Sequence, residues 1–284
     1  MVMLSALVCV RNEELRLAEC LEHLGFCDEI VVVADRCTDR TEAIARDMGA
    51  KVVSGAFPLE GPRKQVGVDS CIGAWILEID ADELVSPSLA DEIRHAIETE
   101  PPGDYFQIPV DNYVGDRLVR RGWGGSFGTS SVARLYRHGA KQWKQHRVHP
   151  GVTFKGVLAG KLTSPIKHKV DDDIMDMVAR LNRYTDLRAL DLADNGGKLG
   201  LADNVFRGVR RFFKCYWSRE GRKEGELGFL IALMAALYPI LSCLKAREIL
   251  LQRALPSPAH SADLVELHPG RAARNNDERQ VVAA

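Results

Sequence analysis

Over the first hundred positions, apolar residues fall in short continuous runs separated by stretches of helical spacing. Leu4–Val10 (LSALVCV), Ile30–Ala34 (IVVVA), Lys51–Ser54 and Ala74–Ile79 (AWILEI) predict four strands. Asn12 opens a helical pattern. Leu15, Ala18, Leu21 and Leu24 recur every third residue, Glu13 and Glu14 sit where the helix dipole favours them, and Gly25 is a stop. Thr38 or Asp39 caps a second helix, with Glu42 three residues past Asp39 as in a capping box and Gly49 ending it. Pro62–Cys71 predicts a third helix, and Ser86-Pro87 starts a fourth that runs to about Glu98. Strands apolar throughout, alternating with helices, mean a parallel sheet covered on both faces. Such α/β sheets bind ligands beyond the carboxyl ends of their strands. Here those ends are Arg11-Asn12-Glu13, Asp35-Arg36 and Asp80-Ala81-Asp82-Glu83.

Further along, Tyr105–Val110 alternates as a strand does, and Arg134–Arg137 reads as a strand followed by a turn. Between them Gly122-Trp123-Gly124-Gly125 is a glycine-rich loop whose indole is either a platform for a sugar ring or an ordinary packed side chain. Arg120, Arg121, Arg134 and Arg137 are candidates to meet a phosphate on donor or acceptor, Arg121 and Arg134 foremost on the acceptor side. From Asp171 the pattern turns helical, with Ile174, Val178, Leu181 and Tyr184 on one face and Asp171-Asp172-Asp173 as an acidic helix start. In Phe206–Trp217 the basic residues Arg207, Arg210, Arg211 and Lys214 share one face, and Phe206, Val209, Phe212, Phe213, Tyr216 and Trp217 fill the other. A cationic face beside an aromatic one suits a helix lying on an anionic membrane, although a helix packed on the domain has the same look. Leu227–Leu244 carries no charge over 18 residues, the lower limit for a span, and Pro239 interrupts it, which favours a re-entrant or interfacial hairpin. Beyond Pro256 the composition predicts a disordered tail.

Composition narrows the function. The chain of 284 residues holds 38 basic and 39 acidic side chains, a net charge of -1, so no global field draws it to nucleic acid. Residues 198–223 depart from that balance, with eight basic groups against two acidic. Seven cysteines, none spaced as CxxC, signal neither a zinc site nor a redox pair. The apolar start lacks a basic segment and a cleavage site, which reads as a strand and gives a cytoplasmic location by default. Neither GxGxxG nor GxxxxGK[ST] is present, so dinucleotide and Walker phosphate loops are not expected.

Asp80 and Asp82 flank one residue just past a strand, where positions i and i+2 point the same way. Two such carboxylates can share a hard divalent cation that keeps ligand positions for phosphate, or they can form a solvated acidic turn. Taken with LSALVCVRNEELRLAECLEHLGFCDEIVVVADRCTDRTEAIARDMGAKV, the segment WILEIDADE resembles family 2 glycosyltransferases of the GT-A fold. More narrowly it is similar to bacterial enzymes that add a sugar during lipopolysaccharide-core or surface-polysaccharide assembly. RLNRYTDLRALDLADNGGK and FLIALMAAL resemble that subgroup's C-terminal half, so the likeness covers roughly residues 3–250. It implies that Arg11, Asn12, Glu13 and Asp35 hold the nucleoside of a nucleotide-sugar, with Lys64 near the donor. It implies that Asp80 and Asp82 are a DxD motif, with Asp82 the closer ligand of Mg²⁺ or Mn²⁺, and that His168 completes the metal site.

The chain departs from the family pattern where an acidic pair reads Ala34-Asp35 and where a V-H-E triplet reads Val148-His149-Pro150. His149 then becomes the candidate base, with His146, Asp111 and Asp116 as others. The resemblance implies an inverting transferase that moves a hexose from a nucleotide-diphosphate sugar, a UDP-sugar first, to a lipid-linked or lipopolysaccharide acceptor. The expected organisation is a GT-A-like α/β domain to residue 170, a helical membrane-associating segment over 171–255 and a tail over 256–284. It would sit peripherally on the cytoplasmic face of the inner membrane, held by Arg207, Arg210, Arg211, Phe213, Lys214 and Trp217. A sugar-phosphate nucleotidyltransferase normally has a glycine-rich loop after the first strand, which Arg11-Asn12-Glu13-Glu14 lacks; a non-catalytic membrane-binding module with a relic site is the other alternative.

Overall fold

The computed structural model describes residues 1–124, 129–144, 152–197 and 199–254. His146, His149 and the expected tail lie outside the described residues.

The first half alternates as its apolar runs require. Strands β1 (Leu4–Val10), β2 (Glu29–Asp35), β3 (Lys51–Gly55) and β4 (Trp75–Ile79) are parallel in the order β3-β2-β1-β4. Between them lie α1 (Leu17–Glu22), α2 (Thr41–Asp47) and α3 (Glu60–Ser70). The first helix is shorter than its periodicity suggests. Asn12 takes a left-handed conformation (φ 56°), and its side-chain oxygen accepts the Thr38 N–H, so residues 12–16 form a turn. The predicted capping box is not formed either: the Glu42 carboxylate bonds Ser54 and Arg46, while Asp39 accepts the Thr41 N–H. After β5 (Glu83–Leu84), helix α4 (Pro87–Glu98) begins as its sequence predicts, with the Ser86 hydroxyl accepting the Leu89 N–H.

The sheet is mixed rather than wholly parallel. Strands β6 (Tyr105–Val114), β7 (Arg117–Val119), β8 (Ser131–Arg137), β11 (Leu158–Lys161) and β12 (Ile166–Asp171) extend it, giving the order β3-β2-β1-β4-β8-β6-β12-β5 with β7 and β11 beside β6. β8 runs antiparallel to both β4 and β6. A separate hairpin of β9 (Lys141–Trp143) and β10 (Val152–Phe154) stands beside it. One apolar cluster under α1 and α4 holds Leu4, Val32, Leu77 and Ile93, and another on the opposite face holds Leu7, Val33, Ile76 and Tyr136.

The chain then becomes helical: α5 (Ile174–Asn195), α6 (Leu201–Phe213), a π turn over Lys214–Ser218 and α7 (Gly225–Ala254). Asp173 caps α5 by accepting the Asp176 N–H, as the acidic start suggests. The face of α5 that packs is set by Met177, Leu181 and Ala189, while Ile174 and Val178 are exposed. The expected hairpin over 227–244 is not formed. Pro239 lies inside one continuous helix, where it lacks a single N–H, and packing of that helix on α5 and α6 offsets the loss. At the α6–α7 contact a Cβ on Gly208 would lie 2.6 Å from the Ala236 carbonyl, so only glycine allows this approach. Helix α7 is long and apolar enough to cross a membrane, yet 56% of its most apolar window is buried against the protein.

Candidate active site

The loops beyond β1 and β2 are laced together at the carboxyl edge of the sheet. The Glu13 N–H donates to the Thr41 hydroxyl (2.8 Å), Glu14 N–H to Asp39, and Arg40 N–H back to Glu14. Arg36, like Asn12, is left-handed (φ 49°). Such strain persists where surrounding bonds fix it, and it clusters at functional sites.

Beyond β4 the chain turns tightly: the Glu83 N–H donates to the Asp80 carbonyl, and the Asp80 N–H to the Glu83 carboxylate, both at 2.9 Å. This turn gives the two aspartates different partners. The Asp80 carboxylate is gripped by Arg134 and by Lys64 (3.4 Å). Desolvation opposes its charge, but the cations of Arg134 and Lys64 outweigh it and hold the carboxyl well below the ordinary range. Asp82 instead faces His168, whose Nε2 is 3.4 Å from its Oδ2. His168 reaches it because β12 pairs with β5, with His168 opposite Glu83 and the Lys169 N–H donating to the Asp82 carbonyl. The ring is oriented from behind. Asn112 donates its amide to the Thr129 carbonyl, which leaves Oδ1 to accept from His168 Nδ1 at 2.9 Å. Nε2 is therefore the nitrogen presented to Asp82. Desolvation lowers the His168 pKa, but the bond to Asp82 outweighs it and the net shift is upward.

Beneath Asp80 lies a buried charge cluster. Glu78, inside the apolar run of β4, is 2.9 Å from Lys64 Nζ and 2.6 Å from Lys141 Nζ, and it accepts the Tyr136 hydroxyl. Burial resists its ionisation, yet Lys141, Lys64 and Arg134 bring its pKa down to about 2. Lys141 is pulled to about 8, chiefly by burial and against the attraction of Glu78. Lys64 arrives here because α3 packs on β1 at Gly67, where a Cβ would fall 2.4 Å from a Leu7 methyl.

These groups open into a cavity of about 690 Å³ lined by Glu13, Asp80, Asp82, Arg134 and His168, by Trp143 and Phe154 of the hairpin, and by Arg180, Arg183 and Tyr184 of α5. Burial and the Asp82 charge raise the Glu13 carboxyl. Four buried side-chain polar atoms lack a hydrogen-bond partner among the described residues. Three are N–H donors of residues that line the cavity: Arg63 Nε, Arg134 Nη1 and Trp143 Nε1.

Among the described residues no three His, Cys, Asp or Glu side chains gather as a metal cage. Asp82 and His168 offer one oxygen and one nitrogen ligand, which fits a cation that takes its other ligands from phosphate and water.

The cavity thus brings together Glu13, Lys64, Asp80, Asp82 and His168 of the expected site. Arg11, Asn12 and Asp35 do not line it, and both Asp35 oxygens are occupied by Arg36, with the Phe57 N–H also on Oδ1. The three acceptor-side candidates fall in different places. Trp123 is 6% exposed and packed in the cluster under α7, its indole N–H spent on the Val119 carbonyl, so it offers no open platform. Arg121 lines a separate small cavity and pairs with Glu220. Arg134 is committed to Asp80 and Glu83 in the floor. Glu78, Lys141, Arg63 and Arg183 were not singled out by sequence. An acid in an apolar strand, two residues before Asp80 and so on its side, was the available signal for Glu78.

A family model described as glycosyl transferase family 2 matches residues 5–157. An uncharacterized glycosyltransferase of Rickettsia felis is 29% identical over 259 residues, 88% of this chain and 91% of its own. The lipopolysaccharide core biosynthesis glycosyltransferase LpsC of Rhizobium meliloti is 26% identical over 255 residues, covering 85% and 91%. The crystal structure of S. aureus TarS 1–349 in complex with UDP superposes with a TM-score of 0.45 at 15% identity, over 88% of this chain and 91% of that one.

Proposed function

The chain belongs to glycosyl transferase family 2, and on that premise we propose that it transfers a hexose, with inversion, from a UDP-sugar to a lipid-linked or lipopolysaccharide acceptor. The observation that carries this reading is the convergence of Asp82 and His168 in a cavity that Arg63, Lys64 and Arg134 also line. Asp82 and His168 would hold a divalent cation, Mg²⁺ or Mn²⁺, which would supply positive charge for a departing diphosphate. The residues of the chain do the rest. Arg134 and Lys64 keep Asp80 ionised and fixed, and Arg63 and Trp143 line the cavity in which the donor would lie. Inversion needs a base on the acceptor hydroxyl, a role we give to His149. The relationship to LpsC supports a lipopolysaccharide acceptor. Calorimetry tests the donor half. UDP should bind when Mn²⁺ or Mg²⁺ is present and lose most of its affinity in EDTA; equal binding with and without EDTA rejects the metal site.

We also read residues 171–255 as the part that meets the membrane, from the cytoplasmic side. Support comes from how α6 is turned: Gly208 and Asn204 face inward, and Phe206, Val209, Phe213 and Trp217 are exposed, Phe206 by 72%. Arg210 and Lys214 are exposed beside them, Arg207 is half-buried, and Arg211 lies over the Tyr238 ring at 5.4 Å. Each basic side chain near an anionic surface is worth about 1 kcal/mol, an attraction that salt screens. Reversing Arg207, Arg210 and Lys214 to Glu should weaken binding to phosphatidylserine vesicles on the order of 10²-fold or more. Sedimentation checks this, and binding indifferent to both the substitutions and the lipid charge rejects it.

A further inference from the structure

Helix α5 lines the same cavity with Asp176, Arg180 and Arg183. Arg180 is buried and spent on Asp171, in a bidentate pair at 2.9 and 2.7 Å. One turn on, Arg183 also lines the cavity, and among the described residues no carboxylate pairs with it. Its guanidinium lies over the Tyr184 ring, 5.6 Å from the centroid, and stacking of this kind presents the planar fork ready-made. Arg16 reaches the same cavity from α1's side, held by Asp172 in a pair whose acid is 66% exposed. Exposed pairs of this kind are worth little, so an incoming anion can take Arg16 over. Arg16 and Arg183 share this cavity with Asp82 and His168, the residues of the proposed metal site.

We propose that Arg183, assisted by Arg16, is an anion subsite for the acceptor, and that the acceptor carries a phosphate or a carboxylate near the hydroxyl that is glycosylated. This rests on the transferase reading above and adds the chemical class of its second substrate. A bidentate guanidinium–oxyanion contact fixes orientation as well as affinity, which a neutral sugar hydroxyl cannot demand of an arginine.

The test uses the full chain with UDP-glucose, UDP-galactose and Mn²⁺. Its acceptor pool is the glycolipid fraction of cells lacking the gene, used as isolated, after removal of phosphate with hydrofluoric acid, or after reduction of carboxylates. Arg183→Gln should raise the acceptor KM at least about tenfold with the donor KM and UDP affinity unchanged, and Arg183→Lys should recover part of the loss. One of the two chemical treatments, and not the other, should reproduce the defect with the unmodified protein, and which one does so identifies the anion. A rise in donor KM in place of acceptor KM assigns Arg183 to the diphosphate and overturns the proposal, as does equal use of all three acceptor preparations. UDP binding without transfer to any preparation by the unmodified protein overturns the transferase reading and the subsite with it.

Discussion

Asp82→Asn is expected to lower the rate of sugar transfer on the order of 10²-fold or more while leaving the fold intact. The substitution keeps the shape and removes one charge from a part-exposed side chain whose ion-pair partner is His168. The Asp80 carboxylate does not stand in for it, being held by Arg134 and Lys64. The loss should appear together with a loss of metal-dependent UDP affinity and with little change in the unfolding midpoint. A variant that transfers sugar at the parent's rate in Mn²⁺, and is equally insensitive to EDTA, contradicts the role given to Asp82.

Glu78→Gln is expected to act in the opposite way, on stability first. Glu78 is 1% exposed and is the shared counter-ion of Lys64 and Lys141, with Arg134 3.6 Å away. Removing one member of a buried ionic cluster leaves uncompensated charge and costs about 3–5 kcal/mol. For a chain of this size that lowers the unfolding midpoint by roughly 10 °C. The pH dependence has a definite sign. The folded pKa of Glu78 lies at about 2, below its ordinary 4.5, so the unfolded chain binds the proton more readily. The stability due to this ionised carboxylate is fully present above pH 4.5 and is lost as pH falls toward 2. Thermal melts of parent and variant should therefore differ at neutral pH and converge as the medium is acidified through that window. A melting temperature within about 2 °C of the parent at pH 7 rejects this account of the floor.

The two aspartates were legible for a reason that does not extend to Glu78. A DxD after an apolar run sits at a strand end, where a polar side chain needs an explanation. Glu78 sits within the run itself, and its partners come from positions 64, 134 and 141, which only the tertiary fold assembles. The parallel half of the sheet followed from local patterns, since LSALVCV and IVVVA are buried on both faces and pair with neighbours in sequence order. The antiparallel strand β8 did not, because its register, Trp75 opposite Arg137, joins segments some sixty residues apart. Helix α7 was misjudged for a similar reason. Pro239 and an uncharged stretch suggest a break at a membrane, and the contacts with α5 and α6 that keep the helix whole are invisible locally. At Trp123 the flanking glycines suggested an open loop, whereas the indole packs beneath α7.

The measurement that tests the central claim most directly is the mass of the surface glycolipids in cells carrying the gene, lacking it, or carrying its Asp82→Asn form. The account predicts that glycolipids from the second and third cells lack one hexose present in the first, and that purified protein with UDP-hexose and Mn²⁺ restores it. Identical glycolipid masses in all three, with no hexose added in vitro, would contradict it.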